Sequence, residues 1–542
     1  MTGPAGGTGW ERELPPSGPV NESSKSARWT TVNAEEAFPG ITAPLTWSFY
    51  GPGTVRAMIQ LWKDLGTLPR SHSIEPSSTD DSFVGAFCGR VAMNVDLYGA
   101  MADLMPGTSA QALEEQFFGV ARDSGRSSSS ARRYPIVAVK APRAVISARR
   151  ATIRQQPVIA AWRRKSLDDS QSAGLHAALV LLRDAQRRLE PVLLRHILLT
   201  MIAQAAFERV RDLATGAGKP GAELDLVSSR SGTEESRLVE ALWALSRGAA
   251  GPAQAWDAFL SEYGYHGPDE GHLNGRVWRE DAAPVAELVE RYRRLDADAD
   301  PAVVARRRAA RSDEVRAELL AGLPAVKRPA AKTAMAFAGS MTQIREMGKS
   351  SFLQVVDVGR AAARRVGIHL ADADVLDFAD DVFFLSMDEL DGATSDLRAT
   401  ALRRRDEDAY FRSIRLPSNW TGEPTPLAEE VVTLSQTTVT GLGVSSGICE
   451  GTVRVMADPV DGDFEPGDIL VCHLTDPSWA GAMVMAGALV IDVGSAVSHG
   501  AIVARELGIP CVTNTKVGTA ALRPGLRVRV DGGAGTVTVL DD

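Results

Sequence analysis

Three groups of residues in this 542-residue chain have the types and spacing to do chemistry. The first centres on His499, in the run Asp492-Val493-Gly494-Ser495-Ala496-Val497-Ser498-His499-Gly500-Ala501-Ile502-Val503-Ala504-Arg505-Glu506-Leu507-Gly508-Ile509-Pro510. A neutral imidazole is a competent nucleophile. Small neighbours, Gly500 and Ala501, leave room for a bulky phosphoryl group on it. The second is Arg345-Glu346-Met347-Gly348-Lys349. Arg345 and Lys349 are four apart, so on a helix they share a face. Two cations there repel unless an anion lies between them, and a phosphate is a suitable one. The third is Tyr263-Gly264-Tyr265-His266-Gly267-Pro268-Asp269-Glu270-Gly271-His272, followed by Arg276, Trp278, Arg279 and Glu280. His266, Glu270 and His272 are acid/base or substrate-contact candidates in a loop. Local physics leaves alternatives open for each group: a capping or core histidine at 499, a surface pair at 345 and 349, and a metal site in the loop.

These groups need elements to hold them. A buried strand over Ala488–Val493 ends in a glycine-containing turn, Ser498 caps a helix, and Gly508 and Pro510 stop it after Leu507. His499 then sits at a helix N-terminus, where free backbone N–H groups and the dipole favour an anion. Apolar residues at helical spacing run from Leu175 to Leu213, with Pro191 read as the start of a second helix. The Arg/Ala-rich run from Val303 to Leu320 reads as a solvated helix face. After Leu416 the texture changes to short β-rich runs: Gly451–Met456, Asp468–Cys472, Ala488–Val493, Pro510–Asn514 and Arg527–Leu540. The expected organisation is a disordered tail over 1–28 and a mainly α-helical domain over 29–415. A linker over 416–440 and a small α/β domain over 441–542 follow.

Composition bounds the function. Hydrophobic residues make up 44% and charged residues 23%, ordinary values for a globular chain. A net charge of −9 argues against a nucleic-acid coat or a polybasic membrane binder. Cys88, Cys449, Cys472 and Cys511 form no CxxC pair, which suits a reducing compartment. No apolar run of the roughly 18 residues that a spanning helix needs is evident, and the first residues lack the apolar core of a signal peptide. The expected location is the cytoplasm.

The His499 segment resembles the phosphohistidine signature of the phosphoenolpyruvate-utilising enzymes, among them pyruvate phosphate dikinase, phosphoenolpyruvate synthase and rifampicin phosphotransferase. Gly443-Val444-Ser445-Ser446-Gly447-Ile448-Cys449-Glu450-Gly451 is similar to the opening strand and turn of their swivelling domain, and Leu474-Thr475-Asp476-Pro477-Ser478-Trp479 to its Thr-x-Pro-x-Trp loop. Asn33–Gly40 with Pro44-Leu45-Thr46, Gly89-Arg90 with Asn94, and Asp381–Leu385 with Asp388-Glu389-Leu390 resemble pieces of the family's substrate-binding domain. The resemblance implies that His499 is the phosphorylated nucleophile, supported by Thr475, Ser498 and Arg505. It implies that Arg345 and Lys349 meet the phosphate during transfer. The family loop usually reads Arg-Gly-x-Gly-Glu-x-Asp. Here His266 and His272 replace its arginine and aspartate while Glu270 is retained, which points to a changed acceptor or changed proton handling.

Family enzymes carry a donor module, an ATP-grasp domain or a phosphoenolpyruvate-binding barrel, and neither fits this sequence. The expectation is that a separate ATP-grasp protein, using ATP and Mg²⁺, phosphorylates His499. The C-terminal domain then swings on a linker that spans up to about 80 Å if extended. The acceptor is a small-molecule hydroxyl, with no nucleic acid or membrane as partner. In rifampicin phosphotransferase-like enzymes ATP yields AMP and inorganic phosphate. Two alternatives remain: a component of a phosphorylation-dependent dehydratase system, and a non-catalytic ligand-binding or regulatory relative.

Overall fold

A computed structural model describes residues 26–32, 34–106, 109–114, 131–219, 221–227, 234–248, 252–392, 396–427, 438–457, 464–475, 479–494 and 498–540. The tail over 1–25, the middle of the expected linker (428–437) and Asp476-Pro477-Ser478 lie outside the described residues.

The first part of the chain is helical around a small sheet. Strand β1 (Arg28–Thr30) is followed by a short helix, Ala34–Ala37, and by α1 (Pro44–Leu65). Then come β2 (Val84–Phe87), β3 (Arg90–Asn94), α2 (Tyr134–Gln171) and α3 (Leu175–Gly216). Next are α4 (Glu234–Ser246), α5 (Ala283–Arg293), α6 (Pro301–Gly322), α7 (Arg328–Asp372) and α8 (Leu397–Ser413), and β4 (Asn419–Thr421) closes this part. The 45-residue α7 is the axis, with buried positions on nearly every face between Ala338 and Gly367. It packs along α3 and α2. As the run between Val303 and Leu320 suggests, α6 buries only Ser312, Val315 and Leu319.

The four strands of the small sheet are antiparallel in the order β2-β3-β1-β4. β1 and β4 pair through Trp29 and Trp420, so the two ends of the helical part are clasped together. Trp29, Phe87 and Trp420 seal this clasp with ring centroids 4.8 and 5.4 Å apart. Residues 419–421, read as linker from their Pro/Gly-rich surroundings, are therefore a strand of the helical domain.

Pro191 starts no second helix. α3 runs through it from Leu175 to Gly216. A proline inside a helix removes one backbone bond, and here Pro191 lies on the exposed face while Leu189, Val192 and Leu193 hold both flanks in the core. Pro52 in α1 and Pro142 and Pro157 in α2 are exposed in the same way. α3 also has the length and mean hydropathy (1.2) of a membrane-crossing helix, although no such run was evident in the sequence. Here it packs against α7 and α1 as a core helix.

The C-terminal part is an eight-stranded sheet. Its strands are β5 (Thr438–Thr440), β6 (Leu442–Ser445), β7 (Ile448–Met456), β8 (Ile469–Cys472), β9 (Ala488–Ile491), β10 (Cys511–Thr513), β11 (Arg527–Asp531) and β12 (Thr536–Val539). The order is β5-β12-β11-β7-β8-β9-β10-β6. β7, β8, β9 and β10 are parallel, and the outer pairings are antiparallel. Helices α9 (Ala480–Met485) and α10 (His499–Leu507) cover one face. Alternation decides which face each side chain serves. Leu470, Cys472, Leu489, Ile491 and Cys511 face the helices, while Ile469, Val471, Ala488, Val490 and Val512 face the other way. The helix-covered face shares one apolar core with Phe207 and Val210 of α3, Val315 and Leu319 of α6, and Met335 of α7.

Because α3 is continuous, Pro191→Ala restores a helix-interior residue. The expected gain is up to about 3 kcal/mol, read from the urea midpoint. A loss of stability would contradict a continuous helix.

Candidate functional site

The strand–turn–helix around His499 forms as its sequence suggests. β9 ends at Ile491, and Ser498 in extended conformation caps α10 by accepting from Ala501 N–H at 3.4 Å. His499 is the first residue of α10, and its imidazole lies outside the described side chains. Thr475 closes against this first turn. A Cβ on Gly500 would stand 2.7 Å from Thr475 Oγ1 and 2.4 Å from Ile491 Cδ1, so only glycine fits. Asp492 braces the turn, accepting from Thr515 Oγ1 at 2.7 Å and from the Thr519 hydroxyl. Burial alone would raise the Asp492 pKa, but His473 and these hydroxyls outweigh it and hold it below the ordinary range.

Arg505 is held by partners within the protein. Six residues beyond His499, about 9 Å along the helix, it is buried with its Nε donating to Val444 O at 2.6 Å. Its guanidinium lies 5.6 Å over the Phe207 ring of α3, and its carbonyl accepts from Arg308 Nη1 of α6. Burial lowers its pKa to about 10. These partners tie Arg505 to both domains.

The carboxyl ends of the parallel strands meet the helical domain elsewhere. His473, one residue past β8, has Nε2 3.5 Å from Glu35 Oε1 and Nδ1 3.8 Å from Asp492 Oδ2. Asp492 first and Glu35 second raise its pKa to about 9. Behind Glu35 lies Phe38, whose ring is 6.3 Å from His272 and 6.2 Å from Phe352 of α7. Phe352 in turn stacks near His196 of α3. The edge that carries Thr475, Asp492 and His499 thus meets the helical domain at Glu35, three residues before Phe38. Ligands of open α/β sheets sit at such strand ends.

Arg345 and Lys349 both project from α7, and the anions they meet are part of the protein. Arg345 pairs with the neighbouring Glu346 carboxylate. Lys349 Nζ is 3.6 Å from Glu270 Oε1, whose other oxygen is 2.7 Å from His266 Nδ1. Burial alone would lower the Lys349 pKa, yet Glu270, Glu235 and Glu346 more than offset it and hold the ammonium charged. His266, Glu270, Lys349 and Arg345 therefore lie in one connected group. His272 stands apart from it. It is buried against Phe38 and Pro39, its Nε2 has no hydrogen-bond partner among the described residues, and burial with Arg360 lowers its pKa to about 4. Among the described residues no group of three His, Cys, Asp or Glu side chains is placed to hold a metal.

The loop carrying His266 and Glu270 is fixed from α7. Arg360 Nη2 donates to the carbonyls of Glu270 and His272 at 2.7 and 2.8 Å, and Arg364 Nη2 to those of Asn274 and Gly275. Trp278 N–H closes the loop on His266 O at 2.8 Å. The arginines are organised by Asp357, fully buried, with Arg163 and Arg279 at 2.8 Å and Arg360 at 3.3 Å. Burial opposes its charge, but the three guanidiniums keep its pKa far below the carboxylate range.

Four groups went unnoticed in the sequence. Asp357 is a lone acid within the apolar run Phe352–Val358, and that mismatch was a usable signal. His196, on the apolar face of α3, lies against Gly348 and is held neutral, its pKa lowered to about 3 by burial and by Arg345 and Lys349. Glu346 is buried and shares a hydrogen bond with Glu235 of α4; burial and Glu235 push its pKa up to about 8. His473 carried no local signal.

Residues 464–535 match the family described as PEP-utilising enzyme, mobile domain, and residues 208–346 the rifampicin phosphotransferase fourth domain. Two segments of the chain thus resemble domains of the phosphoenolpyruvate-utilising enzymes. It is 34% identical over 233 residues to an uncharacterized protein of Mycobacterium tuberculosis, covering 42% of this chain and 27% of that one. It is 32% identical over 330 residues to a rifampicin phosphotransferase of Streptomyces sp, covering 58% and 38%. A rifampicin phosphotransferase of Bacillus subtilis is 31% identical over 218 residues, covering 38% and 25%. The chain thus spans between a quarter and two-fifths of the length of these relatives. The helix-capped His499 lies within the mobile-domain match, and Arg345 falls at the end of the fourth-domain match.

Two outcomes follow from the buried charges. Asp357→Asn strands three guanidiniums, so it should cost about 3–5 kcal/mol in denaturant titration; a cost near zero would remove Asp357 as the organiser. The Glu346 carboxyl keeps its proton up to about pH 8 in the folded chain and gives it up near 4.5 when unfolded. Its contribution to stability therefore falls as pH rises between those values. Glu346→Gln should stabilise the chain more at pH 8 than at pH 5, and an equal effect at both would contradict the assignment.

Proposed function

We propose that the chain is the phosphoryl-carrying and acceptor-binding part of a phosphotransferase acting on a small-molecule hydroxyl. The observation that supports this best is the docking. The strand edge bearing His499 meets the helical domain at His473 and Glu35, and the same domain holds two cations and a hydrogen-bonded His–Glu pair.

In this reading His499 receives a phosphoryl group from an ATP-grasp module that binds Mg²⁺-ATP on another polypeptide, in the cytoplasm. The acceptor lies among Phe38, Phe352, His266 and Lys349. Its hydroxyl oxygen attacks phosphorus while the nitrogen–phosphorus bond breaks, and the bonding electron pair returns to the His499 imidazole. The hydroxyl proton passes to the His266–Glu270 pair, where Glu270 fixes the ring through Nδ1 and leaves Nε2 to accept. Lys349 and Arg345 offset the charge on the phosphoryl oxygens as they move. Glu270 keeps Lys349 in place before the phosphate arrives, and the Glu346 carboxyl accepts from Arg345. His196 and His272, both neutral, shape the apolar wall without adding charge.

The test uses the purified chain, candidate ATP-grasp proteins, labelled ATP and a panel of hydroxylated small molecules. The wild type should acquire acid-labile label and pass it to one acceptor, and His499→Ala should acquire none. Lys349→Met should load normally but transfer about 10²-fold more slowly. Label retained in His499→Ala would overturn the nucleophile. A product lighter by one water, rather than heavier by a phosphoryl group, would overturn phosphorylation in favour of dehydration.

A further inference from the structure

A polar cavity lies on the helical domain, lined by Gln60, Lys63, Asp64, Arg70 and Lys140, with a volume of about 310 Å³. None of these residues belongs to the group around Arg345 and Lys349. The cavity forms where the C-terminal turn of α1 meets the first turns of α2. Gly66 ends α1 in the left-handed region (φ 94°), so the chain turns away directly beneath Ile136 and Lys140 of α2. Arg133 Nε donates to Gly66 O at 2.9 Å and fixes the crossing.

The charges in this cavity do not balance. Lys63, Arg70 and Lys140 face a single carboxylate, Asp64, which is engaged by Gln60 Nε2 at 2.7 Å. Lys63 is only 9% exposed, and among the described residues its ammonium meets no acceptor. The carbonyls at the end of α1 are already used. Lys140 Nζ takes Lys63 O at 2.8 Å, and the N–H groups of Gly66, Thr67 and Leu68 converge on Trp62 O. The Lys63 ammonium opens into the cavity, and two positive charges in excess call for two negative ones. The space is at the lower end of what small-ligand sites occupy, enough for a phosphoryl group with a small body attached.

We propose that this cavity binds a dianionic phosphoryl group, as inorganic phosphate or as the monoester of a small molecule. Lys63 supplies a point charge from the cavity wall. Arg70 supplies a fork of N–H donors to two of the oxygens, and Lys140 closes the third side. The site is independent of the phosphoryl transfer described above.

Calorimetric titration of the full chain at pH 8 tests it, with inorganic phosphate and phenyl phosphate as probes and chloride at matched ionic strength as the control. Both probes should give saturable binding that chloride does not reproduce. Arg70→Gln, at an exposed position that does not endanger folding, and Lys63→Gln should each weaken it at least about tenfold, as expected for losing a charge-assisted contact. An Arg345→Gln, Lys349→Gln chain should bind as the wild type does. Tighter binding of phenyl phosphate identifies an ester as the ligand, and equal or tighter binding of inorganic phosphate identifies the free ion. Binding unchanged in Arg70→Gln, binding lost in the Arg345→Gln, Lys349→Gln chain, or heats matched by chloride would each overturn the proposal.

Discussion

One buried carboxylate organises the helical domain. Asp357 sits in the middle of α7 and gathers Arg163 from α2, Arg279 from the loop that carries His266 and Glu270, and Arg360 from its own helix. An isolated ion at that depth would be prohibitive, and the three guanidiniums make it tolerable. The consequence is geometric. Arg360, held by Asp357, seizes the carbonyls of Glu270 and His272 and so fixes the loop on the helix that also carries Arg345 and Lys349. The His266–Glu270–Lys349 chain is therefore positioned by one rigid element rather than by the loop itself.

The C-terminal domain meets this assembly through two different kinds of contact. At the far end of α10, Arg505, Phe207 and the shared apolar core make a broad, dry contact. At the strand edge near His499 the contact among the described residues is polar, made by His473 and Glu35. A domain seated firmly at one end and lightly at the other can open a site at the lightly held end. The His473–Glu35 pair also makes the contact sensitive to alkali. With its folded pKa raised to about 9, His473 contributes fully below about 6.5 and loses its charge as pH rises through 9.

Local signals made the mobile domain legible. Ser498 caps and Gly508 ends α10 in the left-handed conformation (φ 72°), as their types imply, and alternation sorted the strands. The helical domain was legible as helices but not in its breaks. Pro191 looked like a boundary because proline disfavours a helix interior; tertiary packing on both sides of it outweighed that preference. Trp420 lay among turn residues, and only its pairing with Trp29, nearly four hundred positions away, made it a strand. The site divided in the same way. The Arg345–Lys349 spacing showed a shared face, but the carboxylates that balance it come from another loop and another helix. His266 and His272 looked equivalent in sequence, while the fold gives one of them a carboxylate and the other an aromatic wall.

The central claim is that this docked arrangement is the one that serves the acceptor. A chain carrying Glu35→Cys and His473→Cys, with Cys88→Ser and Cys449→Ser to remove the partly exposed native thiols, tests it by bridging the domains with a short bis-maleimide. Loaded with phosphoryl groups before bridging, the locked chain should still transfer to its acceptor and should then resist a second loading. A locked chain that reloads as fast as the open one, or that holds its phosphoryl group without transferring it, would contradict the account.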